Sequence, residues 1–285
     1  MGKALESGAD AVILDLEDSV PVSAKAEARG LVAKAIEGAH AVVMDGTRAV
    51  AKPSIFVRTN ASGTGLLADD LAAIVRPGLA AILMSKVETL DEVRDAAASL
   101  DRLEAAAKME PGSVEIILQI ESALGVHRCY DLVMASPRVA STCIGTARDG
   151  DLQTDLGCSW SIEGTELLYA RSKVVLETRA AGRIYPLDGV FSDLEDEAAL
   201  VADSRLSARL GYVGRTVIHP KQIAPVRKAY AVREQEVIYY QRVVNEFEAV
   251  EKTGTAAAII VDGKLVDYAM YRRARHVLAL AALDA

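Results

Sequence analysis

The sequence predicts a (β/α) barrel, and three observations carry that prediction. Short apolar runs rich in β-branched residues recur, each followed by an Ala-, Glu- and Arg-rich stretch of helical character. The runs begin roughly 25 to 50 residues apart, the scale of one strand-plus-helix unit, and their unbroken hydrophobicity suits parallel strands covered on both faces. The polar residues that close the runs form a coherent set, as expected where an active site is built from the C-terminal ends of strands.

The strands are expected at Asp10–Leu16, Ser54–Arg58, Ala80–Ser85, Val114–Ile120, Val139–Gly145, Leu187–Ser192 and Gly214–Ile218. Helices are expected at Ser23–Ala39, Leu90–Ala106, Gly164–Ala181 and Glu195–Leu210, where apolar residues recur at helical spacing. A doubly wound dinucleotide fold is the competing architecture, but it needs a Gly-rich turn after an early strand. Here the first run is followed by the acidic Glu17-Asp18-Ser19-Val20-Pro21, and Gly63 and Gly65 after the second run lack the full fingerprint. The count is seven strands where a closed (β/α)8 barrel has eight. The reading is therefore a TIM-type barrel lacking its first strand in this chain, with a start that lies upstream of Met1 or at a misplaced Met.

Barrel residues 1–228 are followed by a C-terminal arm, residues 229–285. After the last strand helices are expected at Gln222–Tyr230, closing the barrel residues, and at Glu234–Lys252 in the arm. A hairpin of Ala256–Val261 and Lys264–Asp267 turns at Asp262-Gly263, and a closing helix spans Met270–Leu283. It is expected to pack on the barrel or on a neighbouring subunit.

Composition narrows the function. The chain of 285 residues carries 32 Lys and Arg against 40 Asp and Glu, a net charge of −8. That balance argues against nucleic acid as a partner, since phosphate backbones call for clustered cations. No apolar run is long enough to span a membrane, no secretory signal is visible, and three scattered cysteines (Cys129, Cys143, Cys158) frame neither disulfides nor zinc. A cytoplasmic protein is the expectation.

The strand ends carry the chemistry: Glu17 and Asp18, Arg58 and Asn60, Lys86 and Glu88, Glu121, Asp149 and Asp151, Asp193, and His219. Magnesium takes oxygen ligands, keeps several waters and needs only one or two protein carboxylates. Glu121 and Asp151 suit that role, although on spacing alone the reading of each as a helix cap or a solvated loop acid weighs more. Arg58 could steady an oxyanion or pair structurally with Glu17 or Asp18. Lys86 could form a Schiff base, but adjacent Glu88 favours an ion pair. His219 ends a strand and lines the expected site. HExxH, GxSxG and Cys/His clusters are all missing.

Together these motifs resemble the citrate lyase β-subunit-like and malyl-CoA lyase family, over nearly the whole length. The resemblance rests on residues 8–20 (GADAVILDLEDSV), Val57-Arg58-Thr59-Asn60, Met84-Ser85-Lys86-Val87-Glu88-Thr89 and Gln119-Ile120-Glu121-Ser122. Residues 151–157 (DLQTDLG), 168–172 (LYARS), 218–223 (IHPKQI) and 261–267 (VDGKLVD) complete it. It implies a magnesium-dependent barrel that makes or breaks C–C bonds in 3-hydroxyacyl-CoA-type thioesters, with acyl-CoA and oxo-acid substrates. It also implies Glu121 and Asp151 as metal ligands, Glu17 and Asp18 around metal-bound waters, and Arg58 beside the thioester carbonyl. Asp267 becomes an acid/base reaching an adjacent subunit's site, which requires at least a dimer, and the resemblance implies a homotrimer or hexamer. The His219–Gln222 loop and Lys86 fall on the coenzyme side. Two departures stand out. The loop Gly145–Asp151 is longer than the family's, leaving Asp149 as a rival ligand, and the family's first strand and its loop are missing. The readings that stay open beside a malyl- or citramalyl-CoA lyase are a citrate lyase β subunit acting in a complex, a CoA-independent 2-oxo acid aldolase, and a non-catalytic barrel that only binds.

Overall fold

A computed structural model describes residues 2–44, 53–252 and 258–283. The chain divides into two compact units, Met1–Ala229 and Tyr230–Ala285. The first holds seven parallel strands: β1 (Ala11–Asp15), β2 (Ser54–Thr59), β3 (Leu79–Met84), β4 (Glu115–Ile120), β5 (Val139–Ile144), β6 (Leu187–Asp188) and β7 (Gly214–Arg215). Each pairs with the next in chain order, and no β7–β1 pairing closes the ring among the described residues. The fold is thus a TIM-barrel-like α/β sheet of seven strands. Its helices are α1 (Gly2–Leu5), α2 (Lys25–Met44), α3 (Leu67–Ile74), α4 (Leu90–Ala106), α5 (Ala123–His127), α6 (Cys129–Met134), α7 (Asp151–Leu156), α8 (Leu168–Ala180), α9 (Glu197–Leu210) and α10 (Ile223–Tyr230).

Alternation along the strands divides the packing. Val12, Leu14, Ile55, Val57, Ile82, Ile116 and Leu118 are buried, and Ala81, Leu83, Ile117 and Cys143 form a separate small cluster with Ile13, Phe56 and Leu187 packed against it. Period-two patterning of this kind fixes register, because a slip of one residue would turn every side chain to the wrong face. The register sets Asp15 beside Arg58 and Ile120 beside Ile144. Residues one step past those strand ends are therefore brought together without any contribution from loop flexibility.

Two expected strands are much shorter than the sequence suggests. The runs Leu187–Ser192 and Gly214–Ile218 reduce to Leu187–Asp188 and Gly214–Arg215. At this edge charge replaces apolar packing: Arg171 bridges Asp188 and Asp203, and Arg215 pairs with Asp203 at 2.7 Å, all four being buried or nearly so. A buried charge survives only when paired, and this neutral quartet ties β6 and β7 to α8 and α9. Gly189 is required here, because a Cβ at that position would lie 2.4 Å from both the Ile144 carbonyl oxygen and the Thr146 hydroxyl. The helix expected at Ser23–Ala39 begins at Lys25 and runs on to Met44.

The second unit holds α11 (Glu234–Glu251), the antiparallel pair β8 (Ala258–Val261) and β9 (Lys264–Asp267), and α12 (Tyr268–Leu283). Ala256 and Ala257 of the expected hairpin lie outside the described residues. Val243, Phe247, Val261, Val266, Tyr271 and Ala274 make its core, with the Phe247 and Tyr271 rings stacked at 4.8 Å. Among the described residues, no helix is long and apolar enough to cross a membrane.

Candidate active site and metal centre

The C-terminal ends of β1, β2, β3 and β4 and the start of α7 gather a charged cluster. β1 ends on Asp15, and its carboxylate accepts two hydrogen bonds from Arg58, from Nε at 2.7 Å and Nη2 at 2.5 Å. The same carboxylate accepts from the Glu17 amide at 2.9 Å and from the Ser19 hydroxyl. Burial alone would raise the Asp15 carboxyl, but the Arg58 guanidinium outweighs it and holds the group below the usual range. Arg58 also stands 3.3 Å from the buried Glu17 through Nη1. The sequence had suggested Glu17 or Asp18 as its structural partner. Asp15 is the principal one, because parallel register places the two residues side by side.

The loop carrying Glu17 is pinned from below. Lys25, itself buried, donates to the carbonyls of Leu16 and Glu17 at 2.6 and 2.8 Å. Asn60 donates to Leu16 at 2.9 Å and to Asp70 at 2.7 Å, and Asp70 is in turn neutralised by Arg29. These contacts tie the acidic turn after β1 to α2, β2 and α3.

Lys86 follows β3 in the left-handed region, at φ 52°. Its ammonium lies 3.0 Å from Glu17, 3.1 Å from Asp18 and 3.3 Å from Asp151. The expected pair with Glu88 is corrected: the turn after β3 aims Lys86 back across the sheet, while Glu88 begins the run into α4. Burial would lower the Lys86 amine, but hydrogen bonds to Glu17 and Asp18 hold it above its ordinary value. A Schiff-base lysine must reach its neutral form, and the three carboxylates around the ammonium oppose that.

Glu121 follows β4 immediately. Oε1 accepts from Gln119 Nε2 at 2.6 Å, whereas Oε2 is buried and has no partner. Burial is the largest influence on its carboxyl, which rises to about 7, and the charges of Glu17 and Asp151 add to that rise while Arg58 opposes it. Glycine is needed beside it: a Cβ on Gly145 would fall 2.8 Å from Glu121 Cγ. Asp151 opens α7 after the extended Gly150, and α7 is braced where Asp155 accepts from the Ala123 amide at 2.6 Å. Asp149 also has a positive φ, 57°, and its 86% exposed side chain sits beside Arg148. Asp151 is brought to the cluster through Lys86, and Asp149 is not.

His219 is exposed and caps the turn Pro220–Gln222 by accepting from the Lys221 amide at 3.1 Å. Asp267 belongs to the second unit, where its Oδ1 caps α12 by accepting from the amides of Ala269 and Met270.

The cluster suits a divalent cation. Five carboxylates (Asp15, Glu17, Asp18, Glu121, Asp151) face two cationic side chains, Arg58 and Lys86. A buried carboxylate oxygen is unpaired, and the glycine beside it leaves room that a side chain would fill. Among the described residues no three His, Cys, Asp or Glu side chains form a ready cage. The carboxylate oxygens present fit magnesium, which uses few protein carboxylates and keeps its waters.

Comparison with known proteins gives a consistent result. The family model for HpcH/HpaI aldolase/citrate lyase matches residues 1–220, and that for C–C bond lyases of the TIM-barrel fold matches residues 174–281. Citrate lyase subunit beta of Escherichia coli (strain K12) is 35% identical over 97% of this chain and 87% of its own length. The L-malyl-CoA/beta-methylmalyl-CoA lyase of Cereibacter sphaeroides is 30% identical over 99% of this chain and 90% of its own. Among solved structures, protein CitE from Mycobacterium tuberculosis in complex with magnesium, acetoacetate and coenzyme A superposes with a TM-score of 0.72. The identity is 25%, covering 99% of this chain and 93% of that one.

Proposed function

The chain belongs to the HpcH/HpaI aldolase/citrate lyase family, and from that premise we propose that it is a magnesium-dependent carbon–carbon lyase acting on 3-hydroxy-dicarboxylic acyl-CoA thioesters of the malyl- or citramalyl-CoA type. The observation that carries this reading is the convergence of Glu121, Asp151, Glu17 and Asp18 around one cluster with a clamped Arg58. Glu121 and Asp151 would hold the cation, and Glu17 and Asp18 would orient its waters. When bound, the cation supplies Lewis acidity toward the oxo-acid fragment and orients it.

Cleavage breaks the bond between the carbinol carbon and the carbon next to the thioester. A general base takes the hydroxyl proton as the carbonyl of the oxo acid forms, and the electron pair of the broken C–C bond passes into a thioester enolate. Its developing oxyanion calls for a cation already in place, because a donor fixed in advance costs no reorganisation during the reaction. Arg58 is that group, and Asp15 keeps its guanidinium from turning away. Asp267, from the C-terminal arm of a second copy, protonates the enolate carbon, or removes that proton when the bond is made. The His219 loop and Lys86 lie on the coenzyme side. The protein is then a cytoplasmic homotrimer or hexamer with the arm, residues 229–285, supplying Asp267 in trans.

A second reading has a specific observation behind it, the 35% identity with the citrate lyase subunit of E. coli. In that case the thioester is carried on a protein and the chain works in a complex. Purified protein with Mg²⁺ is to be incubated with malyl-, citramalyl- and methylmalyl-CoA, and with a citryl thioester on an acyl carrier protein. Release of acetyl- or propionyl-CoA with an oxo acid supports the first reading, and turnover confined to the carrier-bound thioester favours the second.

A further inference from the structure

Lys86 joins the acidic turn after β1 to the start of α7: Glu17, Asp18 and Asp151 all lie within 3.3 Å of its Nζ. These carboxylates come from segments more than a hundred residues apart in the sequence, and without a cation between them they would repel one another. The backbone that aims Lys86 there is itself unusual. A lysine at φ 52° occupies a region that a side chain disfavours, and such conformations persist where the surroundings over-determine them. Ser85 supplies part of that constraint by donating to the Thr59 carbonyl at 2.9 Å. One carboxylate in the set, Asp151, is also assigned to the cation above, so the same oxygens face two positive partners.

Resting on the cation reading given above, we propose that Lys86 is a built-in counter-cation: its ammonium holds Glu17, Asp18 and Asp151 together in the metal-free protein and competes with the divalent cation for Asp151, thereby setting the affinity of the site. Two effects follow. The metal-free site stays assembled without a cation, and binding must first loosen the Lys86–Asp151 pair. The affinity is then lower than the local excess of carboxylates alone would give, so the cation is readily exchanged.

The test uses the full chain freed of metal by chelation, with Mn²⁺ as the probe followed by electron paramagnetic resonance. Lys86→Gln is expected to bind Mn²⁺ at least tenfold more tightly than wild type. It should also have a lower metal-free Tm and a larger Tm rise on adding Mn²⁺, whereas Lys86→Arg should stay close to wild type. Equal or weaker Mn²⁺ binding by Lys86→Gln overturns the proposal. In the wild-type protein, amine labelling mapped by mass spectrometry is expected to mark Lys86 faster when Mn²⁺ is present, since the ammonium is released from Asp151. Labelling that is unchanged or slower overturns it without need of any variant. Failure of wild-type protein to bind Mn²⁺ at all removes the metal reading itself, and this inference with it.

Discussion

Replacing Gly145 by alanine adds one methyl group at the most sensitive place in the site. Its carbon would lie 2.8 Å from Glu121 Cγ and 3.2 Å from Oε1. Carbon atoms pack at roughly 3.5 to 4 Å, so Glu121 must withdraw by about 0.7 Å or more. Metal–ligand distances tolerate only about 0.2 Å. Glu121 also has little room to yield, because Oε1 is held by Gln119 and Oε2 is buried. Overpacking of this kind costs about 1 to 3 kcal/mol. Disturbance of a ligand's setting lowers metal affinity by roughly 10- to 100-fold. Gly145→Ala is therefore expected to lower the Tm by a few degrees and to weaken Mn²⁺ binding and kcat/KM together by about that factor. The assay is a Mn²⁺ titration beside steady-state kinetics at a Mg²⁺ concentration below saturation. An alanine variant with wild-type Mn²⁺ affinity and turnover would show that Glu121 does not hold the cation from this position.

Three other outcomes are expected. Asp15→Asn keeps the shape but removes the charge-assisted clamp on Arg58, about 1.5 to 3 kcal/mol, so kcat/KM should fall by roughly 10- to 150-fold while Mn²⁺ still binds; unchanged kcat/KM would contradict the positioning of Arg58. Asp267→Asn preserves a good helix cap and is expected to keep Mn²⁺ binding while abolishing proton exchange at the acyl methyl of acetyl-CoA; persistent exchange would take Asp267 out of the reaction. The third concerns acid stability. Burial alone would raise the Glu104 carboxyl, but Arg138 and the amides of Val114 and Gly112 hold it at about 2. Against an ordinary 4.5, this corresponds to on the order of 3 kcal/mol. Because the folded value is the lower one, that stability is present above pH 4.5 and is lost as pH falls toward 2. The Tm gap between wild type and Glu104→Gln should accordingly narrow across that range, and a constant gap would refute the assignment.

Much of the fold was legible because strand and helix runs differ in period and composition, and the first five strands appear close to their expected bounds. The two shortest strands were overestimated. Val190 and Phe191 continue an apolar pattern, but the tight approach at Gly189 and the buried Arg171–Asp188 pair end the ladder early. Helix α3 leaves no signal in the sequence, because its eight residues are too few for a periodic pattern. In the site, Glu121 and Asp151 were visible as acids directly after strands. Asp15 was not singled out, although a charge inside the run Asp10–Leu16 is a signal that a partner must exist; naming Arg58 as that partner requires the register. The same holds for Lys86. Its neighbour Glu88 was the local guess, and only a left-handed turn sends the side chain to Glu17, Asp18 and Asp151. Gly145 carried no sequence signal, since its role depends on a distance to a residue 24 positions earlier.

The account stands most directly on Glu121. Wild-type protein and Glu121→Ala, each stripped of metal and then supplied with Mg²⁺, are to be compared for Mn²⁺ binding and for cleavage of the preferred acyl thioester. Magnesium-dependent turnover in the wild type, with both binding and turnover lost in the variant, is the result expected. Full activity of chelator-treated Glu121→Ala would contradict it.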